Sequence, residues 1–199
     1  MELRRGSPLR LSVLLLLAAA GGAQAGTLSA VAPLGASPGV VVQITGTGFS
    51  TTAASNEVTF GAAAPVPATS IATINATQGL RRIAVRVPDG LPAGTAAIRV
   101  VNRDTGEVST GRSLEVVTIT VTPAAATRGA TVELIIEGSA NAQFSAGTTR
   151  VGLGAGVTTS GVVVESARRL LATVTVANDG AFGPRNVGVF AATQTLLAP

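Results

Sequence analysis

VVVQITGTGFS, residues 40–50, is the stretch of sequence that decides the fold. The apolar side chains of Val40, Val42 and Ile44 alternate with residues 41, 43 and 45, and this period of two is typical of a half-buried β-strand. A second stretch, RIAVRVPDGLPAGTAAIRVVN at residues 82–102, shows the same alternation on both sides of a Pro-Asp-Gly turn signal. No segment after residue 25 has a convincing helical period, so the sequence predicts an all-β fold.

The same pattern returns about 90 residues further along the chain, which indicates an internal repeat. Pro33 and Gly39 correspond to Pro123 and Gly129. The inward strand positions keep their phase between the copies: Val40, Val42 and Ile44 with Ala130, Val132 and Leu134; Val58 and Phe60 with Val151 and Leu153; Val85, Val87, Gly94, Ile98 and Val100 with Val174, Val176, Gly183, Val187 and Val189. Each copy offers about seven short strands, the number in an immunoglobulin-like β-sandwich.

The repeat predicts two tandem immunoglobulin-like β-sandwich domains after an N-terminal signal peptide. The first unit covers residues 26–117 and the second, more divergent unit covers residues 118–199. Between them EVVTITV, residues 115–121, is continuously β-prone and contains no Gly, Ser or Pro, so we expect a stiff connection. Fewer residues follow Phe190 than follow Val101 in the first unit. We therefore expect the closing strand of the second unit to be short or missing, and its sheet edge to be open to another strand.

Residues 1–25 have the three parts of a secretory signal peptide. Arg4, Arg5 and Arg10 form a positive start, an apolar run follows at residues 11–20, and Ala23-Gln24-Ala25 is a small-x-small cleavage site. The apolar run is about ten residues long, half of what a membrane span needs. The sequence predicts export, cleavage after Ala25 and a mature chain without a membrane span, located outside the cell, on its surface or in the periplasm.

The first unit resembles the IPT/TIG domain, an immunoglobulin-like module of plexins, Rel-type transcription factors and bacterial surface proteins. The resemblance is carried by Pro33, Gly39, VVVQITGTGFS, EVTFG at residues 57–61, the stretch at residues 82–102, and LEVV at residues 114–117. The second unit resembles a divergent relative that lacks a phenylalanine equivalent to Phe49. The resemblance implies a binding, adhesion or spacer role and supplies no catalytic, cofactor-binding or metal-binding residue.

The residue types present argue against an enzyme. The chain has no His and no Cys, which removes the usual bases, thiol nucleophiles and zinc or haem ligands. Gly35-Ala36-Ser37-Pro38-Gly39 fits the G-x-S-x-G pattern of hydrolases. Because it lies between predicted strands and has no histidine partner, we interpret it as a turn. We expect no cofactor.

Four other features allow a binding role beside an ordinary structural one. Asn102, Asp104 and Glu107, and separately Asn178-Asp179-Gly180, offer oxygens for weak calcium binding, although turn chemistry explains both better. A second feature is the group of arginines Arg81, Arg82 and Arg86. They form either an anion-binding patch or a solvated strand face, and we favour the strand face. Asn75-Ala76-Thr77 is a glycosylation sequon. Phe49, Phe144 and Phe182 are the only aromatic candidates for stacking on a sugar.

These observations favour a non-catalytic extracytoplasmic binding, adhesion or spacer module whose partner is a protein or another cell-surface component. The alternative is a carbohydrate-binding accessory module of an extracellular polysaccharide-processing system, which the five phenylalanines and the absence of Trp and Tyr disfavour. Nucleic acid is not expected as a ligand, because the net charge of +4 includes three arginines of the signal segment and stacking aromatics are scarce.

Overall fold

The computed structural model describes residues 25–198, and these form strands joined by turns. They contain one 3-10 turn, Ala53–Ser55, and no α-helix, so the all-β expectation is confirmed. In this part of the chain no helix is available to cross a membrane. Apart from Ala25, the predicted signal segment lies outside the described residues.

Nine strands belong to the first unit. They are β1 (Leu28–Ala32), β2 (Gly35–Ala36), β3 (Val41–Gly46), β4 (Asn56–Phe60), β5 (Val66–Pro67), β6 (Ser70–Asn75), β7 (Leu80–Arg86), β8 (Gly94–Asn102) and β9 (Val108–Val116). Seven strands follow in the second unit. They are β10 (Ile119–Thr122), β11 (Thr131–Gly138), β12 (Arg150–Gly152), β13 (Val157–Ser166), β14 (Arg169–Val176), β15 (Val187–Phe190) and β16 (Gln194–Ala198).

These strands form three sheets. One has the order β1-β3-β7-β6 and another the order β10-β11-β14-β13, each with four antiparallel strands. The third sheet has eight strands in the order β12-β15-β16-β2-β9-β8-β4-β5 and runs through both units. Each four-stranded sheet therefore faces a different part of one long sheet.

Two hydrophobic cores fill the space between the facing sheets. The first core joins Val42 and Ile44 of β3 to residues of β4, β8 and β9, including the fully buried Phe60 and Leu114. The second core joins β11 and β14 to β12, β15 and β16. This is the packing of β-sandwiches, in which alternate residues of both sheets point inward.

Equivalent turns lead into β3 and β11. Gly39 has φ of 85° and donates its N–H to the carbonyl of Val87 at 2.9 Å, while Gly129 has φ of 73° and donates to Val176 at 2.9 Å. A side chain is strained at such positive φ, so glycine suits both positions. The pairing of these glycines in the sequence repeat thus has a structural counterpart.

Strand β2 joins the two units by pairing with both closing strands. It runs parallel to β9, with Gly35 opposite Glu115, and parallel to β16, with Gly35 opposite Gln194. The edge of the second unit that we expected to be open is therefore covered by a strand of the same chain. The closing strand β16 has five residues, whereas β9 has nine. Strand β2 pairs with β16 at the edge where we expected a strand from a partner.

Candidate functional site

Ser37, the serine of the hydrolase-like pattern, is buried directly after β2. Its Oγ accepts a hydrogen bond from the backbone N–H of Leu197 at 3.0 Å. The residues expected to form only a turn thus begin with a short strand, and the turn to β3 follows it. This hydrogen bond connects Ser37 of the first unit to Leu197 of the second. The chain has no histidine that could activate the serine as a nucleophile.

A second set of polar contacts fixes the same junction. The buried Gln194 accepts the N–H of Gln143 at its Oε1 (2.9 Å) and donates from Nε2 to the carbonyl of Asn141 (2.8 Å). Asn141 in turn donates from Nδ2 to the carbonyl of Val116 at 2.8 Å. Since buried amides are costly to leave unpaired, these bonds favour one arrangement of the two units.

The loop after β3 is held by a buried side chain. Asn56 is fully buried; its Oδ1 accepts the N–H of Ser50 at 2.8 Å and its Nδ2 donates to the carbonyl of Thr52 at 2.9 Å. An asparagine amide can donate two hydrogen bonds and accept two, so it substitutes for the backbone partners that a loop lacks.

The first proposed calcium turn takes part in this loop. The Ser50 hydroxyl donates to the carboxylate of Asp104, and hydrogen bonds from Ser50 and Ser55 lower the pKa of Asp104 below its usual value. Asn102 donates from Nδ2 to the carbonyl of Gly48 at 3.0 Å. These side chains are used within the protein. Nowhere in residues 25–198 do three or more acidic, His or Cys residues gather as a metal site.

The three neighbouring arginines do not gather into one patch. Arg81 points toward the interior and donates to the carbonyl of Phe49 at 2.7 Å, whereas Arg86 lies 3.6 Å from the carboxylate of Asp89. Arg82 alternates to the exposed face of β7. The arrangement agrees with the preferred interpretation of a solvated strand face, apart from the structural role of Arg81.

Two of the three aromatic candidates are core residues. Phe49 packs against Gly46, where an added Cβ would lie 2.9 Å from its ring, and Phe144 packs against Gly138, where the distance would be 3.2 Å. Both rings are buried. The expectation that the second unit lacks an equivalent of Phe49 was wrong, since Phe144 serves this purpose at a different sequence offset. Phe182, in contrast, is 83% exposed.

A groove of about 640 Å³ opens at one end of the second unit, beside Phe182. Core residues Leu134, Val174 and Val187 form part of its lining, so the floor of the groove is the edge of the second core. Its outer walls are the segment at residues 123–126 and the loop at residues 181–185. The volume lies within the range of small-molecule sites, roughly 300–1,000 Å³.

Charge at the mouth of the groove has one sign. The guanidinium carbon of Arg128 lies 3.6 Å from the centre of the Phe182 ring, a cation–π contact. Arg185 donates to the carbonyl of Ala181 at 3.0 Å and to that of Ala155, which ties two loops together. No acidic residue lines the groove within the described part of the chain. It is therefore a groove with an apolar floor, partly polar walls and a cationic rim.

The repeats differ in the loop that follows β7 in the first unit and β14 in the second. The loop after β7 places Leu91 against the first core. At the repeat offset Gly180 occupies that position in the second unit; it does not line the groove, and an added Cβ would meet the backbone oxygens of Ala177 and Gly156 at 3.2 and 3.5 Å. Sequence reasoning missed Arg128, Arg185 and the groove itself. No local pattern marks them, because single arginines in turns are ordinary surface residues.

Solved structures resemble this chain weakly. The extracellular region of Plexin A4, domains 1 to 8, has a TM-score of 0.42 and 14% identity over 98% of this chain and 20% of its own. The Bacteroides ovatus protein SGBP-B of a mixed-linkage glucan utilization locus, solved with a heptasaccharide, has a TM-score of 0.31 and 14% identity over 87% of this chain and 45% of its own. A Bacteroides thetaiotaomicron structural genomics protein has a TM-score of 0.36, with 17% identity over 87% of this chain and 48% of its own.

This chain thus spans a fifth of the plexin structure and about half of each Bacteroides protein. No curated protein matches its sequence significantly. The family comparison matches the segment that carried the resemblance, residues 27–116, and the first unit of this chain is an IPT/TIG domain.

Proposed function

We propose that this chain is a non-catalytic extracytoplasmic binding and spacer module built of two immunoglobulin-like sandwiches, with residues 118–199 as the second, divergent one. The observation that carries the proposal is the sharing of β2 by the closing strands of both units. A spacer must hold the surfaces it presents at a fixed distance and angle. A sheet that continues from one sandwich into the next does this more firmly than a flexible linker.

Side-chain packing adds to the stiffness. Leu197 of β16 packs against the first core, although it belongs to the second unit. Val117, at the end of the first unit, is buried in the second core. Each unit therefore contributes an apolar residue to the other, and rotation at the junction would expose both to water.

Sugar binding is the less supported alternative. Phe182 is exposed, but the Arg128 guanidinium lies over one face of its ring. A sugar platform needs a free aromatic face, and Phe49 and Phe144 are buried. The candidate residues thus leave one half-covered ring for stacking.

Distance measurements between two labels test the spacer proposal. Because the chain has no cysteine, Ala64→Cys and Ala146→Cys place one spin label on each unit at exposed positions. We expect one narrow distance distribution by double electron–electron resonance. Adding Ser37→Ala and Asn141→Ala removes the hydrogen bonds to Leu197 and Val116 and should broaden it.

The matched control replaces the same residue types at exposed positions, Ser70→Ala with Asn75→Ala, and should leave the distribution narrow. A broad distribution in the otherwise unmodified protein would overturn the spacer role.

Export is tested separately. We expect mass spectrometry of the secreted or periplasmic protein to show Gly26 as the first residue, because the small-x-small site ends at Ala25. The fold supports this boundary, since Gly26 is already packed: an added Cβ would lie 2.1 Å from the Oγ of Ser109. Recovery of the protein with residues 1–25 attached would contradict it.

A further inference from the structure

We infer that the groove of the second unit binds a single-chain amphiphilic anion, a fatty acid carboxylate, with the chain along the apolar floor of the groove and the head group at Arg128 and Arg185. This inference names a ligand class for the proposed binding module and rests on that proposal. The groove is open to solvent at one end and apolar at its floor.

The floor suits a hydrocarbon chain. Leu134, Val174 and Val187 are core residues that also line the groove, and Leu153 and Val157 line it as half-buried residues. A chain lying here would remove its own surface, and the exposed part of Leu153 and Val157, from water.

The rim suits an anionic head group. Arg128 and Arg185 are the charged residues that line the groove, and no carboxylate among the described residues lies there to neutralise them. A guanidinium binds a carboxylate through two parallel hydrogen bonds. The exposed Phe182 ring beneath Arg128 gives the ligand an amphipathic entrance, apolar below and charged above.

A partner strand fits the same opening less well. A strand binds by pairing its backbone with an unpaired sheet edge. The edge of β16 is already paired with β2 at Gln194 and Thr195, and β10 offers only four residues. The ten-residue edge strand β13 contributes only Val157 to the groove lining. Backbone pairing also gives no role to the two arginines.

A fluorescent fatty acid tests the inference. The chain has no Trp or Tyr, so protein fluorescence does not contribute to the emission measured for bound cis-parinaric acid. We expect saturable binding to the purified protein and competition by palmitate about tenfold stronger than by hexadecanol, which has the same chain without the charge. Arg128→Gln should weaken palmitate binding and leave hexadecanol binding nearly unchanged. Arg185→Gln, which also loses the bonds to Ala155 and Ala181, should weaken palmitate binding more than hexadecanol binding.

Matched controls separate the groove from other surfaces. Val157→Phe fills the groove from β13 and should abolish binding, whereas Val163→Phe, on the same strand but 61% exposed and outside the groove, should not. Arg168→Gln, at an exposed turn, controls for loss of one charge. Thermal unfolding of every variant identifies any that fails to fold.

Three results would overturn the inference. They are the absence of saturable binding, equal competition by palmitate and hexadecanol, and binding of an alternating apolar peptide in place of the fatty acid. None of them changes the distance distribution between the two labelled units. Failure of the ligand inference is therefore distinguishable from failure of the spacer proposal.

Discussion

At the scale of single residues, the loops around the first core are organised by polar side chains that act over long sequence distances. Ser50 and Asp104 are far apart in the sequence, yet the Ser50 hydroxyl donates to the Asp104 carboxylate and the Asp104 N–H donates to Asn102. The Ser50 hydroxyl also accepts the N–H of Thr52 at 2.9 Å. One serine thus orders its own loop and the turn after β8.

This arrangement predicts a pH dependence. Hydrogen bonds from Ser50 and Ser55 lower the pKa of Asp104 in the folded protein. A carboxyl with a lowered pKa contributes stability above the unfolded value, near pH 4, and loses it as pH falls through the folded value. We expect the wild type to exceed Asp104→Asn in urea midpoint at pH 7, and the gap to narrow toward pH 3.

The serine provides the control. When the wild type and Asp104→Asn both also carry Ser50→Ala, their difference in urea midpoint should change less between pH 7 and pH 3. The reason is that the Asp104 carboxylate has then lost the Ser50 hydroxyl as a hydrogen-bond donor. A gap of constant size from pH 7 to pH 3 would show that the carboxylate form of Asp104 contributes nothing to stability.

The same residues show what sequence can and cannot reveal at this scale. Asn102, Asp104 and Glu107 were recognisable as a polar turn because their types and spacing are local. Their partner Ser50 lies on another loop and was not recognisable, since nothing in a turn sequence indicates which distant hydroxyl it will meet. The turn therefore allowed calcium binding as an alternative, whereas the structure shows the Asp104 carboxylate and the Asn102 amide oxygen bonded to protein groups.

At the scale of elements, strand phase was predictable and strand length was not. β3 has six residues and β11 has eight, so inward positions match at the repeat offset only as far as Ile44 and Leu134. Beyond them the phenylalanine that packs on the terminal glycine is shifted. It follows Gly46 by three residues as Phe49, and it follows Gly138 by six as Phe144.

The core role of Phe144 is testable by truncation of its side chain. Phe144→Ala should lower the unfolding free energy of the second unit by about 3–5 kcal/mol, the usual cost of removing a buried phenylalanine. Phe190→Ala is the control, because that ring is 47% exposed and should cost less. Urea unfolding of both variants measures the difference. Equal costs would contradict a core role for Phe144.

Strand β2 was beyond local pattern recognition. Two residues carry no period, and Gly35 and Ala36 have low strand propensity. Their strand conformation arises from parallel pairing with β9 and with β16, and these partners are far apart in the sequence. The turn interpretation was reasonable from composition, but only tertiary pairing reveals that this segment joins the units.

At the scale of the whole molecule, two cores coexist with one continuous sheet, and these features have opposite consequences for unfolding. Separate cores favour independent unfolding, because each sandwich buries its own apolar residues. A shared sheet favours coupling, because unfolding of the first unit removes β2 from β16 and frees Leu197 from the first core. A stiff connection at residues 115–121 was expected from the sequence, whereas the coupling through β2 was not.

A charge in the first core separates these contributions. Ile44 is fully buried in β3, so Ile44→Asp places an unpaired carboxylate in the apolar interior and should unfold the first unit. Independent sandwiches would leave the second calorimetric transition at its original temperature. We expect it instead to move down, because the hydrogen bonds that Gly35 and Ser37 donate to the carbonyls of Thr193 and Thr195, at 3.1 and 3.3 Å, are lost with β2. Val41→Asp, on the same strand but 54% exposed, should leave both transitions in place. If Ile44→Asp abolishes the first transition and the second does not move, the pairing of β2 with β16 contributes nothing to the stability of the second unit.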